Sequence, residues 1–194
     1  MSIGAVLVVI SSKHASTPKT VKTGGEMHRA IILGLLLSGT ALADPVPLYR
    51  LYSGSSSDHF YTTSMDEAFR ATSYHGYAYE GVSGKCMPTQ EWGTTPLYRM
   101  YSGSAGDHFY TTSWQERDTA IAWHGYSNEG VACYVYSWQA SGTCPLYRMW
   151  RSRGGDHFYT LSWQEVLNAG RYHGYAYEGV AAYLFPETPG QCPQ

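Results

Sequence analysis

The sequence predicts an α+β, β-dominated fold, a pseudo-threefold arrangement of three 49-residue strand–turn–strand–helix–strand repeats. Three observations predict it. Asp-His-Phe-Tyr-Thr stands at 58–62, 107–111 and 156–160, at intervals of 49 residues. Pro-Leu-Tyr-Arg (from 47, 96 and 145), His-Gly-Tyr (from 75, 124 and 173) and Glu-Gly-Val (from 80, 129 and 178) keep the same interval. In every copy a serine followed three residues later by a glutamate marks a helix start. Fixed spacing of this kind is an internal repeat, and one copy is small for a core of its own, so the copies must close on one another or stack. A β-trefoil, which also has three copies, is the alternative; the capped helix in each copy argues against its plain form.

Each element has a local reason. Residues 48–52 are apolar and aromatic and read as a strand. Ser-Gly-Ser-Ser-Ser-Asp at 53–58 is turn chemistry, and 59–63 is a second strand that completes a hairpin. Ser64 with Glu67, Ser113 with Glu116 and Ser162 with Glu165 read as capping boxes. In such a box the hydroxyl accepts from a backbone N–H and the carboxylate returns to the N–H of the cap. A helix over 65–73 follows, ended near Gly76. A third strand leads on to Cys86, and its counterpart is plainest at 131–136. The linkers 87–95 and 137–144 are polar and unrepeated. The repeats are therefore 47–95, 96–144 and 145–194, forming a single domain over 44–194.

The first 43 residues read differently. Residues 27–43 have a basic start, a short apolar centre and a small-x-small end, which is a secretory signal cleaved after Ala43. Residues 1–26 read as a disordered, over-extended start, with Met27 the initiator. Cleavage leaves 151 of the 194 residues, with nine Lys and Arg against fourteen Asp and Glu, a formal charge of −5. That balance argues against nucleic acid, whose binders present a basic face. No membrane association is expected after signal cleavage, and the protein is expected to be secreted or periplasmic. All four cysteines, Cys86, Cys133, Cys144 and Cys192, lie in the mature part and fit two disulfides, with three pairings open.

The repeated polar residues are the candidates for function. Arg50 and Glu80, Arg99 and Glu129, and Arg148 and Glu178 read as one structural ion pair per copy. Tyr49, Phe60, Tyr77 and their copies read as core. Strand alternation puts His59 and Tyr61 on the face opposite Phe60, so they are expected to be the more exposed. His59, Tyr61, His108, Tyr110, His157 and Tyr159 are accordingly the expected ligand-binding residues. His75 is expected to bond carbonyls at its helix end. Catalysis is disfavoured: adjacent Asp and His point opposite ways along a strand, the polar groups come in triplicate, and no G-x-S-x-G or HExxH occurs. No catalytic residue, metal ligand or cofactor is therefore assigned.

Together, Leu-Tyr-Arg, Asp-His-Phe-Tyr-Thr and Gly-Tyr-x-x-Glu-Gly resemble an uncharacterised family of secreted repeat modules of bacteria and fungi, found alone or appended to extracellular hydrolases and cell-surface proteins. The resemblance covers nearly all of the mature chain and brings no established catalytic residue. It implies a binding or targeting role. The chain departs from the pattern in its cysteines, in the basic turn Trp150-Arg151-Ser152-Arg153 and in Leu161, which replaces a threonine. The expectation is a non-catalytic secreted module that binds an extracellular glycan or cell-wall polymer weakly and at several sites. A structural, protein-interaction repeat is the alternative, ahead of a hydrolase or a metal-binding protein.

Overall fold

The computed structural model describes residues 43–193, so the expected start 1–26 and all but the last residue of the expected signal 27–43 lie outside the described residues. Twelve elements follow one order three times: strand, strand, helix, strand. They are β1 (Val46–Ser53), β2 (Asp58–Thr62), α1 (Met65–Tyr74) and β3 (Ala78–Cys86), then β4 (Thr94–Ser102), β5 (Asp107–Thr111), α2 (Trp114–Trp123) and β6 (Ser127–Tyr136), then β7 (Cys144–Arg151), β8 (Asp156–Thr160), α3 (Trp163–His173) and β9 (Ala176–Leu184). Strand dominates, as expected.

All pairing is antiparallel. One sheet has the order β2-β1-β3, and a second has β5-β4-β6-β9-β7-β8. Each hairpin closes on four residues: Ser53 faces Asp58 and Tyr52 faces His59, and the same register recurs at Ser102 and Asp107, and at Arg151 and Asp156. The pairing of β1 with β3 skips two residues, Ser83 and Glu80. Arg50 faces Gly81 and Leu51 faces Tyr79, which leaves Glu80 in a bulge. Glu129 and Glu178 are skipped in the same way. A bulge re-aims the side chain it carries. The glycine after each bulged glutamate has φ of 120°, 99° or 126°, a conformation that a Cβ disfavours, and this accounts for the repeated Glu-Gly pair.

The helices start as the sequence requires, with Ser64, Ser113 and Ser162 each accepting from the N–H of the glutamate three residues on. The other half of the capping box is not made. The N–H of Ser64 bonds Thr62 Oγ1 at 3.0 Å, which frees the Glu67 carboxylate for other partners. Glu116 and Glu165 are freed alike, through Thr111 and Thr160.

Two kinds of core result. Under each helix lies a local one, such as Leu51, Phe60, Ala68 and Ala71 with Tyr49 and Tyr77 packed against it. A larger core joins the three copies through Leu48, Leu97 and Leu146, Tyr61, Tyr110 and Tyr159, Leu161 and Leu184. Strands β2 and β5 are therefore buried along their whole length. Alternation divides Phe60 from Tyr61 as predicted, but both faces are covered, one by the helix and one by the other hairpins. The disulfides pair Cys86 with Cys133 and Cys144 with Cys192. No helix among the described residues is long and apolar enough to cross a membrane.

Candidate functional site

The six expected ligand-binding residues divide into two groups. Tyr61, Tyr110 and Tyr159 are each 1% exposed, which removes them as direct ligand contacts. Their rings meet edge to face, with centroids 5.4–5.6 Å apart. Each phenol closes a link to the next copy. Tyr61 OH donates to the carbonyl of Tyr159 and accepts from its N–H, both at 2.8 Å. Tyr110 OH does the same to Tyr61, and Tyr159 OH to Tyr110. Desolvation pushes all three phenols well above the ordinary tyrosine range, so they are neutral donors throughout physiological pH.

His59, His108 and His157 are also largely buried, contrary to the expected exposure, but each keeps one edge in a cleft. Asp58 does not orient its neighbour His59. It reaches the next copy instead, its Oδ1 accepting from the His108 N–H at 2.8 Å and its Oδ2 facing His108 Nδ1 at 2.6 Å. Asp107 holds His157 and Asp156 holds His59 in the same way. A phenol completes each carboxylate: Tyr77 donates to Asp58, Tyr126 to Asp107 and Tyr175 to Asp156. Burial raises the Asp156 carboxyl, but the bonds from His59 outweigh it and hold the group below the usual range.

The aspartate oxygen at Nδ1 sets the orientation of each ring and turns Nε2 towards the bulged glutamate. His59 Nε2 lies 3.9 Å from Glu80 Oε2, and the matching distances are 3.7 Å for His108 to Glu129 and 4.0 Å for His157 to Glu178. The imidazole is clasped between rings: Tyr52 at 4.6 Å and Phe158 at 4.7 Å for His59, Tyr101 and Phe60 for His108, Trp150 and Phe109 for His157.

Arginine binds the copies from the other side. Arg50 pairs with Glu80 at 2.9 Å, as the sequence predicts. It also donates two bonds, at 3.0 and 3.1 Å, to Glu165 of the third copy. Arg99 joins Glu129 to Glu67, and Arg148 joins Glu178 to Glu116. The helix-start glutamates are thus bridges between copies. Burial works to raise their carboxyls, but the arginines prevail and lower them.

The result is three clefts, each between two copies and each with two histidines. The first, of about 380 Å³, holds His59 and His173 with Tyr52, Glu80, Glu165 and Tyr175. The second, of about 980 Å³, holds His108 and His75 with Tyr101, Glu129, Glu67 and Tyr77. The third, of about 530 Å³, holds His157 and His124 with Trp150, Glu116 and Tyr126. His75 closes its helix through its own N–H to the Ala71 carbonyl, and its ring lines the cleft. Tyr52, Tyr101 and Trp150 were not among the residues expected to bind. Their signal was the hairpin register, which seats each opposite a histidine.

Asp58, Asp107 and Asp156 bring carboxylate oxygens within 4.8 Å of one another, a possible cation site by distance. All three are fully buried, and each already accepts three protein hydrogen bonds. A family model described as a domain of unknown function (DUF5648) matches residues 47–185. No curated protein and no solved structure matches the chain.

Proposed function

The chain belongs to the DUF5648 family of domains of unknown function, and from its clefts we propose that it is a non-catalytic, secreted module that binds extracellular or cell-wall carbohydrate at three sites related by a pseudo-threefold arrangement of its repeats. One observation carries this reading. Beside an aromatic ring in each copy an imidazole Nε2 and a glutamate oxygen stand 3.7–4.0 Å apart, and in the first and second clefts both residues line the cavity. Two polar atoms beyond bonding distance of each other suit adjacent sugar hydroxyls, which both donate and accept, and the ring suits the CH face of a sugar. Pockets of this size are in the range of small-molecule sites, and the many polar side chains of the first two suit a ligand rich in hydroxyls. Three of them on one chain give avidity on a polymer even where each site is weak. The disulfides fit an oxidising compartment.

Pairing across copies supplies each histidine with an aspartate, so the adjacency argument against catalysis does not hold. The reading as a binder rests on the threefold recurrence of the same groups and on the polar and aromatic side chains that line the clefts. A protein-interaction role has its own support in the apolar side chains the helices expose, among them Phe69, Tyr74, Trp123 and Tyr172.

The test is a screen of residues 44–194 against glycans and cell-wall polymers, with Tyr52→Ala, Tyr101→Ala and Trp150→Ala singly and together. Histidine substitution is less informative, because it strips a buried aspartate of its partner. Binding is expected to fall in steps with each cleft lost. Unchanged glycan binding by a folded triple variant would falsify the role of the clefts, and binding to no glycan, with capture by a protein partner, would favour the second reading.

A further inference from the structure

One difference among the three clefts lies in the hairpin turn and concerns charge. In the hairpin register Ser53 faces Asp58 and Ser102 faces Asp107, but Arg151 faces Asp156. Both serines are buried and bond the serine two residues on. Arg151 instead lies in the wall of the first cleft, its guanidinium 4.7 Å over the Tyr175 ring, beside Asn168 and His173. Its Nη2 is 3.8 Å from Asp156 Oδ2, beyond hydrogen-bond reach, and that oxygen already serves His59 and Tyr175. Nε and Nη2 of Arg151 are buried and have no hydrogen-bond partner among the described residues.

Buried donors without an acceptor are costly, and a guanidinium is costlier than a neutral group. An anion at the partly exposed edge of the guanidinium would offset that cost through its charge. The electrostatics agree. Beside each cleft one arginine bridges two glutamates and leaves one negative charge over, and Asp66 and Arg70 in the lining of the second offset each other. Arg151, 3.8 Å from Asp156, gives the first cleft one positive charge that the serines at the equivalent positions do not give the others. Arg153, exposed in the same turn, adds a further positive charge nearby, whereas the turns at 54–57 and 103–106 have no basic residue.

We propose that the first cleft, between the first and third copies, is an acidic-sugar site in which Arg151 receives a carboxylate or sulfate oxygen of the ligand. This rests on the carbohydrate reading above. The planar fork of arginine donates in parallel to the two oxygens of such a group, which serine at the equivalent position does not. The remaining clefts keep their negative excess and select uncharged sugars.

The test measures binding of residues 44–194 to three oligosaccharides of equal length: one neutral, one bearing uronic acids and one bearing sulfate esters. At least one charged oligomer is expected to bind about tenfold or more tightly than the neutral one. Its affinity is expected to weaken with added salt, while that of the neutral one does not. Arg151→Ser should abolish the preference and Arg151→Lys should keep part of it. The two charged arms tell which group the cleft takes. Charged oligomers that bind no tighter than the neutral one overturn the proposal and leave the carbohydrate reading standing. So does a preference that survives Arg151→Ser. Binding to none of the three overturns both. The wild-type comparison and its salt dependence decide the matter even where a variant fails to fold.

Discussion

Tyr61 shows how much depends on single atoms. Its hydroxyl is the partner of both the N–H and the carbonyl of Tyr159, deep in the shared core. Tyr61→Phe keeps the ring and leaves two buried backbone groups unpaired, so it is expected to cost about 2–4 kcal/mol in denaturant unfolding. Tyr110→Phe and Tyr159→Phe, which break the same two bonds at the next links, should cost a similar amount. Near-neutral unfolding energies in all three would show that the phenols are not structural links. His59 and Tyr61 also show the limit of reading a strand by alternation. The two-sided division was legible, because side chains alternate whatever surrounds them. Which side meets water was not, because β5 and β8 cover the face that the sequence leaves blank.

At the scale of elements, the hairpins and helix starts were legible because their causes are local. Serine and glycine make the turns, and Ser64, Ser113 and Ser162 cap the helices. The second task of the cap glutamates differs from the one the sequence predicts. Thr62 takes the N–H of Ser64, and Glu67 turns to Arg99 of the second copy, a partner 32 residues away. That pairing has a pH signature. Arg99 holds the Glu67 carboxyl below its ordinary value against the effect of burial. A carboxyl lowered on folding contributes stability above the unfolded glutamate range, and the contribution is lost as pH falls through the folded value. Melting temperature is therefore expected to drop between about pH 5 and pH 3. Arg99→Gln should start lower at pH 6 and fall less steeply, since there is less pairing to lose. Parallel pH profiles in the two proteins would contradict this account.

At the scale of the whole molecule, the copies are held by what crosses between them: phenol to backbone, aspartate to histidine, arginine to glutamate, and one disulfide. Cys86 and Cys133 join β3 to β6 with both residues buried, 1% and 3% exposed. Cys144–Cys192 ties the exposed end of the chain to β7. A mild reductant is expected to open Cys144–Cys192 first, as differential alkylation and mass spectrometry will show. Loss of Cys86–Cys133 should cost about 2–4 kcal/mol. Reduction in the reverse order would mean that the end of the chain is better protected than its burial implies. The even cysteine count was legible in the sequence, but the pairing was not, because proximity of β3 and β6 arises only when the first two copies pack together.

The sequence by itself determined the element order, the period, the caps, the turns and the Arg50–Glu80 pairing, since each depends on residues close along the chain or on repetition. Tertiary structure alone decided that Asp156 serves His59 across 97 residues, that Tyr61 is core, and that Tyr52 and Arg151 line one cleft. Those relations come from the closing of three copies against one another. Adjacent Asp and His cannot meet on one strand, and packing brings each the other's counterpart.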